Sequence, residues 1–215
     1  WAEISRANGE IVTNLTEGEE VPVAAFTTID GVVYGYDVNG QLFKLDITTF
    51  QRTAIGDGLG IEVEEGFLFE IRDMAYDAAN EQMMVLASTL LWDEEYGEYS
   101  EIYDGCGLYT VDLTTGALEL YYVFSEYNYV KAMTVDTEGI AYFYNTFDDG
   151  VDRLNLTTGE TGRLITLQKQ SLYGDMYCDY SLHFDALTET LYLLFTSNDR
   201  FYKMVTIDPV LGTLI

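Results

Sequence analysis

Acidic side chains are concentrated in one stretch of this sequence, between residues 91 and 106. The stretch carries six carboxylates, no basic residue and three interleaved tyrosines. Two carboxylates about 5 Å apart repel each other by roughly 0.8 kcal/mol in water, whereas calcium binds about six to eight oxygen atoms. The pattern therefore predicts a calcium site, with a solvated acidic loop as the alternative. The candidate ligands are Asp93, Glu94, Glu95 and Asp104, joined by Asp148 and Asp149 from a second acidic run.

Aromatic rings form the second group of candidate binding residues. The chain contains 18 tyrosines and a single histidine. Tyrosines in loops can stack on sugars or peptides, whereas those in strands are expected in the core. His183 could act as an acid, a base or a ligand, although a lone histidine in a strand is more often structural. The predicted ligand-binding face comprises Tyr96, Tyr99, Tyr103, Tyr127, Tyr129, Tyr173 and His183.

The sequence carries no recognisable catalytic motif. One histidine cannot form a His-rich metal site or a His-Glu-x-x-His motif, and no Gly-x-Ser-x-Gly elbow occurs. Glycosidases use a pair of carboxylates, but carboxylates are so numerous in this chain that the presence of such pairs does not indicate a glycosidase. We therefore predict a non-enzymatic protein, while a carbohydrate-active hydrolase that uses surface carboxylates stays open as an alternative.

The two cysteines, Cys106 and Cys178, are far apart in the sequence. No Cys-x-x-Cys pair occurs, so neither zinc ligation nor thioredoxin-like redox chemistry is indicated. Both cysteines fall in or beside segments that do not repeat. A disulfide between them and two separate thiols are equally open.

A repeated phrase indicates the elements that must position these residues. Residues 108–116 read Leu-Tyr-Thr-Val-Asp-Leu-Thr-Thr-Gly, and residues 151–159 read Val-Asp-Arg-Leu-Asn-Leu-Thr-Thr-Gly. Weaker copies occupy 42–50, 204–212 and 1–9. A second hairpin precedes four of the copies, so each repeat predicts four antiparallel strands. Four-stranded repeats of roughly 40–50 residues are typical of β-propeller blades.

The fold class predicted from these repeats is all-β: a single β-propeller of four-stranded antiparallel blades. The predicted full blades are 22–55, 71–124, 129–168 and 177–215, and residues 1–17 form a half blade. Four and a half blades predict a five-bladed ring or an incomplete one, and we expect the chain to be part of a longer multidomain protein. In each blade, the recurring Asp or Asn before the turn is expected to accept turn N–H groups.

The repeated phrase resembles the repeats of secreted bacterial propellers grouped as YVTN-type or quinoprotein-like. The resemblance extends over nearly the whole chain, with residues 108–116 and 151–159 as its best matches. It implies blade architecture and a secreted or cell-surface location, and the group includes both binding modules and enzymes. The non-repeating segments, 91–106 among them, are expected in loops on one face of the ring, where binding sites can vary.

Charge excludes some classes of partner. The formal net charge is −27, which argues against nucleic acid and anionic membrane surfaces, and no apolar run is long enough to span a membrane. A cationic partner, a metal ion or a neutral polar ligand stays open. The leading functional prediction is a secreted or cell-surface module that recognises a protein or glycan through its loop-bearing face. A structural spacer is a further alternative.

Overall fold

The computed structural model describes residues 2–4, 11–14, 23–49, 51–124, 129–167, 180–196 and 202–215. These residues form four antiparallel four-stranded sheets, each a blade with strands lettered a to d in chain order. Blades A and B consist of β3 Val23–Ile29, β4 Val32–Asp37, β5 Leu42–Leu45, β6 Arg52–Ala54, β7 Phe67–Asp77, β8 Gln82–Asp93, β9 Glu98–Val111 and β10 Leu118–Val123. Blades C and D consist of β11 Val130–Val135, β12 Ile140–Asn145, β13 Gly150–Asn155, β14 Thr161–Thr166, β15 Tyr180–Asp185, β16 Thr190–Thr196, β17 Tyr202–Asp208 and β18 Thr213–Leu214. This arrangement confirms the predicted propeller of four-stranded blades.

Two short strands precede blade A. Strand β1 (Ala2–Ile4) pairs with β2 (Ile11–Asn14) in a separate two-stranded antiparallel sheet. Among the described residues, no helix is long and apolar enough to cross a membrane.

The innermost strands of the four blades lie side by side. Strand β3 packs beside β7, β7 beside β11, and β11 beside β15. Between each pair of neighbouring blades lies a hydrophobic cluster, because the b strands are apolar at successive positions and are covered on both faces. In β8, for example, all residues from Met83 to Ala87 are buried, as the sequence pattern predicted.

Turns with Asp or Asn at the first position close the outer hairpins. Asp112 accepts hydrogen bonds from the backbone N–H groups of Thr114 and Thr115, and Asn155 accepts the same pair from Thr157 and Thr158. Asp46 and Asp208 do the same in blades A and D. The recurring Asp or Asn is therefore an architectural residue, as predicted.

Each blade runs in the same strand order, so its loops divide between two faces. The described b-to-c turns and the described parts of the d-to-a segments lie at one end of the blades, which we call the loop face. The a-to-b and c-to-d turns lie at the other end, which we call the turn face. The two acidic runs, at Asp93–Gly97 and Thr146–Asp149, are both b-to-c turns and therefore share the loop face.

The expectation that residues 91–106 form a loop is wrong. Strand β8 continues to Asp93 and β9 starts at Glu98, so the insertion is a long hairpin with a short turn at its tip. Aromatic and apolar residues between the acids pair across the hairpin, with Trp92 opposite Tyr99 and Leu91 opposite Ser100. Their rings and branched chains favour strand over loop despite the acidic composition. Strand β7 also begins at Phe67, opposite Leu91, ahead of the predicted blade start at residue 71.

Candidate functional site

A cavity of about 680 Å³ lies where the four innermost strands meet. Each of these strands contributes a lining residue: Ala24 from β3, Arg72 from β7, Lys131 from β11 and Tyr180 from β15. Because residues of all four blades surround it, the cavity lies on the propeller axis, and we call it the axial cavity. The b-to-c turn of blade A, the d-to-a segment before β7 and the first residues of β7 complete its wall, so it opens to the loop face.

A β-bulge places the lining side chain in three of the four inner strands. The pairing of the a and b strands shifts between Val23 and Ala25, between Ile71 and Asp73, and between Val130 and Ala132. The extra residues are therefore Ala24, Arg72 and Lys131, which are the residues that line the cavity. A bulge re-aims the side chain of the extra residue and shifts the register by one residue, while the pairs on both sides of it stay formed. Tyr180 has the corresponding position in β15, where the pairing is regular.

Among the described residues, two cations and a carboxylate lie together at the inner wall. Arg72 forms an ion pair with Glu70, with 2.8 Å between Nη2 and Oε2. The Arg72 side chain is only 15% exposed, while that of Glu70 is 44% exposed. Burial, joined by the positive charge of Arg72, lowers the pKa of Lys131 to about 8, against the opposing effect of Glu70. Lys131 thus lies close to both groups and in a partly desolvated place.

A partly buried carboxyl group connects this wall to the blade interface. Asp73 accepts hydrogen bonds from the backbone N–H of Met74 at 2.9 Å and from that of Met133, on the next blade, at 2.9 Å. Desolvation raises the pKa of Asp73 to about 7, and the two hydrogen bonds oppose that rise. Asp73 therefore links blades B and C directly beside the bulge that carries Arg72.

Comparison with solved structures gives propeller-type neighbours. A chain of a nidogen–laminin complex matches with a TM-score of 0.56 and 14% identity, over 87% of this chain and 60% of that chain. An auxiliary nutrient binding protein from Bacteroides thetaiotaomicron matches with a TM-score of 0.53 and 13% identity, over 89% of this chain and 40% of that one. Its counterpart from Bacteroides ovatus gives 0.53 and 11%, over 86% of this chain and 37% of that one.

These likenesses establish the fold alone, since every identity is low. The chain spans 60% or less of the length of each of these neighbours. No protein-family model matches the sequence, and no curated protein matches it. The resemblance to YVTN or quinoprotein-like repeats thus holds at the level of propeller architecture, and the specific family is not confirmed.

The three described tyrosines of the predicted ligand-binding face occupy separate places on the loop face. Tyr96 lies at the tip of the blade B hairpin and is 71% exposed. Tyr99 contacts Trp92 edge-to-face, with 5.1 Å between ring centroids. Tyr129 stacks on Phe147 at the edge of blade C, with 6.1 Å between centroids. The Tyr103 side chain, Tyr127 and Tyr173 lie outside the described residues.

His183 is exposed on β15, two residues before Asp185 and toward the turn face. A hydrogen bond from the Leu187 N–H holds the pKa of the Asp185 carboxyl below its usual range, with smaller contributions from Thr188 and from electrostatic interaction with His183. The residue of β15 that lines the axial cavity is instead Tyr180, at the opposite end of the strand. The structure therefore does not bring His183 together with the tyrosines of the loop face.

Several predicted calcium ligands have structural partners of their own. Asp93 accepts hydrogen bonds from the N–H groups of Glu95 and Tyr96, which closes the hairpin turn. Asp148 forms a salt bridge with Arg163 at 2.5 Å, and Asp149 accepts a hydrogen bond from the Tyr144 hydroxyl at 2.7 Å. Glu94 and Glu95 are exposed, and the Asp104 side chain is outside the described part. Within the described residues, no group of three or more His, Cys, Asp or Glu side chains is arranged to hold a metal.

Cys106 lies beside the inner wall and forms no disulfide within the described part of the chain. Burial raises its pKa, while a hydrogen bond with Ser88 and the charge of Arg72 act in the opposite direction. Cys178 lies outside the described residues, so a Cys106–Cys178 bridge stays a prediction.

Sequence analysis did not single out Arg72 and Lys131. The signal that could have found them is positional: each lies five residues before an Asp at the end of its a strand or directly after it, Asp77 in blade B and Asp136 in blade C. The chain has only ten basic residues, so two cations at equivalent positions of neighbouring repeats are unusual in this background. The bulges that turn both side chains into the cavity have no clear signature in the sequence.

Proposed function

We propose that this chain is a binding module that takes up its ligand, a protein segment or a glycan, at the axial cavity on the loop face. The observation that carries the proposal is the convergence of Arg72, Lys131 and Tyr180, from three different blades, on a cavity of about 680 Å³. Small-ligand sites typically have about 300–1,000 Å³ and a few polar groups within apolar walls. The nidogen–laminin and nutrient-binding neighbours are compatible with a binding role.

The roles of the carboxylates at the cavity support binding over hydrolysis. Of the described residues that line it, two are acids. Asp37 accepts hydrogen bonds from the N–H groups of Asn39 and Gln41 and thereby fixes its turn. Glu70 is paired with Arg72. A glycosidase acid or base would have to be available to the substrate instead.

We further propose that the module works outside the cell, as the repeat resemblance implies. A cavity with a charged inner wall also distinguishes this proposal from that of a structural spacer, which would need no such wall.

Blocking the cavity entrance tests the proposal. Val38 lines the cavity from the b-to-c turn of blade A and is 65% exposed, so Val38→Trp should fill the entrance without disturbing the core. Leu187→Trp on the turn face is the matched control, because Leu187 is 87% exposed in a turn of blade D. We expect a glycan array and a panel of extracellular matrix proteins to yield ligands whose affinity falls at least about tenfold in Val38→Trp and is unchanged in Leu187→Trp.

Three outcomes would contradict the proposal. The ligands could bind Val38→Trp as tightly as the original protein, or Leu187→Trp alone could lose them, which would move the site elsewhere. Release of shortened sugars from a bound glycan would instead favour the hydrolase.

A further inference from the structure

A groove of about 400 Å³ lies between blades C and D on the turn face, and we call it the interblade groove. Its walls are the a-to-b turns of both blades, the c-to-d turn of blade D and strands β13 and β14 of blade C. Residues with little or partial exposure give it an apolar lining: Ile140, Tyr142, Phe184 and Pro209. Exposed residues complete the lining, among them Val210 and the three glutamates Glu138, Glu160 and Glu189.

A hydrogen-bonded bridge spans the corresponding turns of blades B and C. The Asn80 side chain, in the a-to-b turn of blade B, donates to Asp77 at 2.6 Å, and its oxygen accepts from the Thr157 hydroxyl of blade C at 3.3 Å. Blade D has Val210 at the position of Thr157, and valine has no hydroxyl group to donate. This bridge therefore cannot form between blades C and D, which leaves the groove open to a ligand.

The c-to-d turn of blade D also differs in the side chains that it exposes. In every blade, the Asp or Asn of this turn accepts hydrogen bonds from two consecutive backbone N–H groups, so the two donor residues are structurally equivalent. Val210 and Leu211 are the donors in blade D, and they are 82% and 72% exposed. The donors in the other blades are Thr48 and Thr49, Thr114 and Thr115, and Thr157 and Thr158. Since the same turn forms with two threonines, the apolar pair is not needed for the turn and is available for a contact outside the chain.

The charges along the interblade groove fit a basic partner. Of the described residues that line it, four are acidic and one, Arg153, is basic. Asp136 is engaged in its own blade, where it accepts hydrogen bonds from the Glu138 and Ile140 N–H groups and from the Tyr142 hydroxyl. The three glutamates are exposed and can meet a cation, whose attraction to them strengthens as the partner excludes water.

The same charges argue against a second copy of this chain as the occupant. The chain has 37 acidic and 10 basic residues. In a two-fold symmetric contact through the groove, each copy would present its own glutamates to those of the other. Like charges that face each other across an interface oppose association.

We propose that the interblade groove docks a basic segment of a partner protein that also carries aliphatic side chains. A lysine or arginine of that segment lies among Glu138, Glu160 and Glu189, and a neighbouring aliphatic side chain packs on Val210 and Leu211. The groove is on the opposite face from the opening of the axial cavity, so this inference goes beyond the proposed function. The net charge left a cationic partner open, and the groove gives such a partner a defined place.

Three capped pentapeptides test the inference by isothermal titration calorimetry in 0.15 M NaCl, which screens attraction beyond about 8 Å. The first is Lys-Leu-Arg-Leu-Lys, the second has serine in place of both leucines, and the third has glutamate in place of the three basic residues. We expect the first to bind at least about tenfold more tightly than the second, because only the first buries apolar side chains. The third should not bind, because its charges repel the groove.

Matched variants assign the binding to the groove. Glu160→Gln combined with Glu189→Gln should weaken binding of the first peptide about tenfold, since two charge-assisted contacts are lost. Glu62→Gln combined with Glu64→Gln is the control, because it removes two exposed carboxylates from the segment before β7 on the loop face and should leave the affinity unchanged.

A second pair of variants tests the apolar contact. Val210→Thr combined with Leu211→Thr gives blade D the Thr-Thr turn of the other blades, so the protein should fold while the affinity falls at least about threefold. Ile47→Thr is the control, because it replaces a 58% exposed apolar residue in the c-to-d turn of blade A.

Several results would overturn the inference. They include equal affinity for the leucine and serine peptides, equal effects of a groove variant and its control, or no binding of the first peptide up to about 1 mM. Equally tight binding of spermidine would identify a site for small polyamines instead. A dimer in sedimentation equilibrium that the double threonine variant dissociates would identify a second copy as the occupant. Loss of the peptide in Val38→Trp would place it at the axial cavity.

Discussion

Asp73 shows how one side chain can serve both the scaffold and the site. Its carboxyl group accepts backbone hydrogen bonds from Met74 and from Met133 of the neighbouring blade, and it follows directly after Arg72 in the chain. Blades A, C and D have Ala25, Ala132 and Ser181 at the corresponding position. The Asp73 bridge is thus particular to the boundary between blades B and C, where the two cations meet.

The raised pKa of Asp73 predicts a pH-dependent stability. Its value of about 7 in the folded protein exceeds the usual 3.8, so folding favours the protonated form. The stabilisation is complete below about pH 4 and is lost as the pH rises through 7, with a slope of at most about 1.4 kcal/mol per pH unit from this group. We expect urea denaturation to show a smaller decline between pH 4.5 and 7.5 in Asp73→Asn than in the original protein.

The comparison needs a control, because other acids in this chain also titrate. Asp57→Asn removes an exposed acid from the segment between β6 and β7. Its pH profile should run parallel to that of the original protein. If Asp73→Asn also runs parallel, the Asp73 carboxyl is ionised at the same pH in both states and the predicted link is wrong.

At the scale of elements, identical turns have different surroundings. The Thr-Thr-Gly turns of blades B and C both place glycine at φ 74°. The turn of blade B packs against blade A, where the Tyr36 hydroxyl donates to the Gly116 carbonyl at 2.6 Å. A Cβ at Gly116 would lie 3.0 Å from the Ile55 carbonyl oxygen and 3.2 Å from Leu42 Cβ, whereas a Cβ at Gly159 would meet nothing within 4 Å.

This difference predicts unequal costs for the same substitution. Gly159→Ala should lower the free energy of unfolding by about 1–2 kcal/mol, since alanine is strained at positive φ. Gly116→Ala carries the same strain and also forces blades A and B apart, so it should cost at least about 1 kcal/mol more. Urea denaturation of the two variants measures the difference. If the two variants lose the same free energy of unfolding, the interface between blades A and B accommodates the added methyl group at no cost, and the prediction is wrong.

The repeats made the elements predictable, because turn chemistry at Asp112, Gly116 and their equivalents is local and reads directly from the sequence. The acidic hairpin was harder to predict, since its charges are typical of loops while Trp92 and Tyr99 favour paired strands. The site was hardest. A bulge breaks the alternation of inward and outward side chains by one residue, so no periodic pattern marks Arg72 or Lys131 as facing the axis.

For the molecule as a whole, the excess of acidic residues lowers the stability of the fold. The formal net charge is −27, and the negative side chains repel one another across the surface. Basic residues offset the repulsion locally, as where Arg163 pairs with Asp148 and Asp152 on blade C. The carboxylates that suggested a calcium site thus have another explanation: exposed acids keep the protein soluble, and Asp93 holds a turn.

Thermal denaturation separates general screening from a specific metal site. We expect NaCl to raise the Tm, because salt screens repulsion over distances beyond about 10 Å. The calcium prediction requires more. The Tm in 2 mM calcium chloride must be higher than the Tm of a sample of equal ionic strength that contains NaCl and a chelator.

Superimposable calcium and chelator curves would discard the calcium site. A further rise that is lost in Asp93→Asn and kept in Asp148→Asn would instead assign the metal to the blade B hairpin.

The bulges have a consequence for how such a ring can change. Ala24, Arg72 and Lys131 are not paired with any residue of the neighbouring b strand. The strand pairs on both sides of each bulge can therefore form with any side chain at these three positions. Selectivity can therefore drift, or be engineered, one blade at a time while the scaffold stays the same. Alanine in blade A already marks one such position as open to a new side chain.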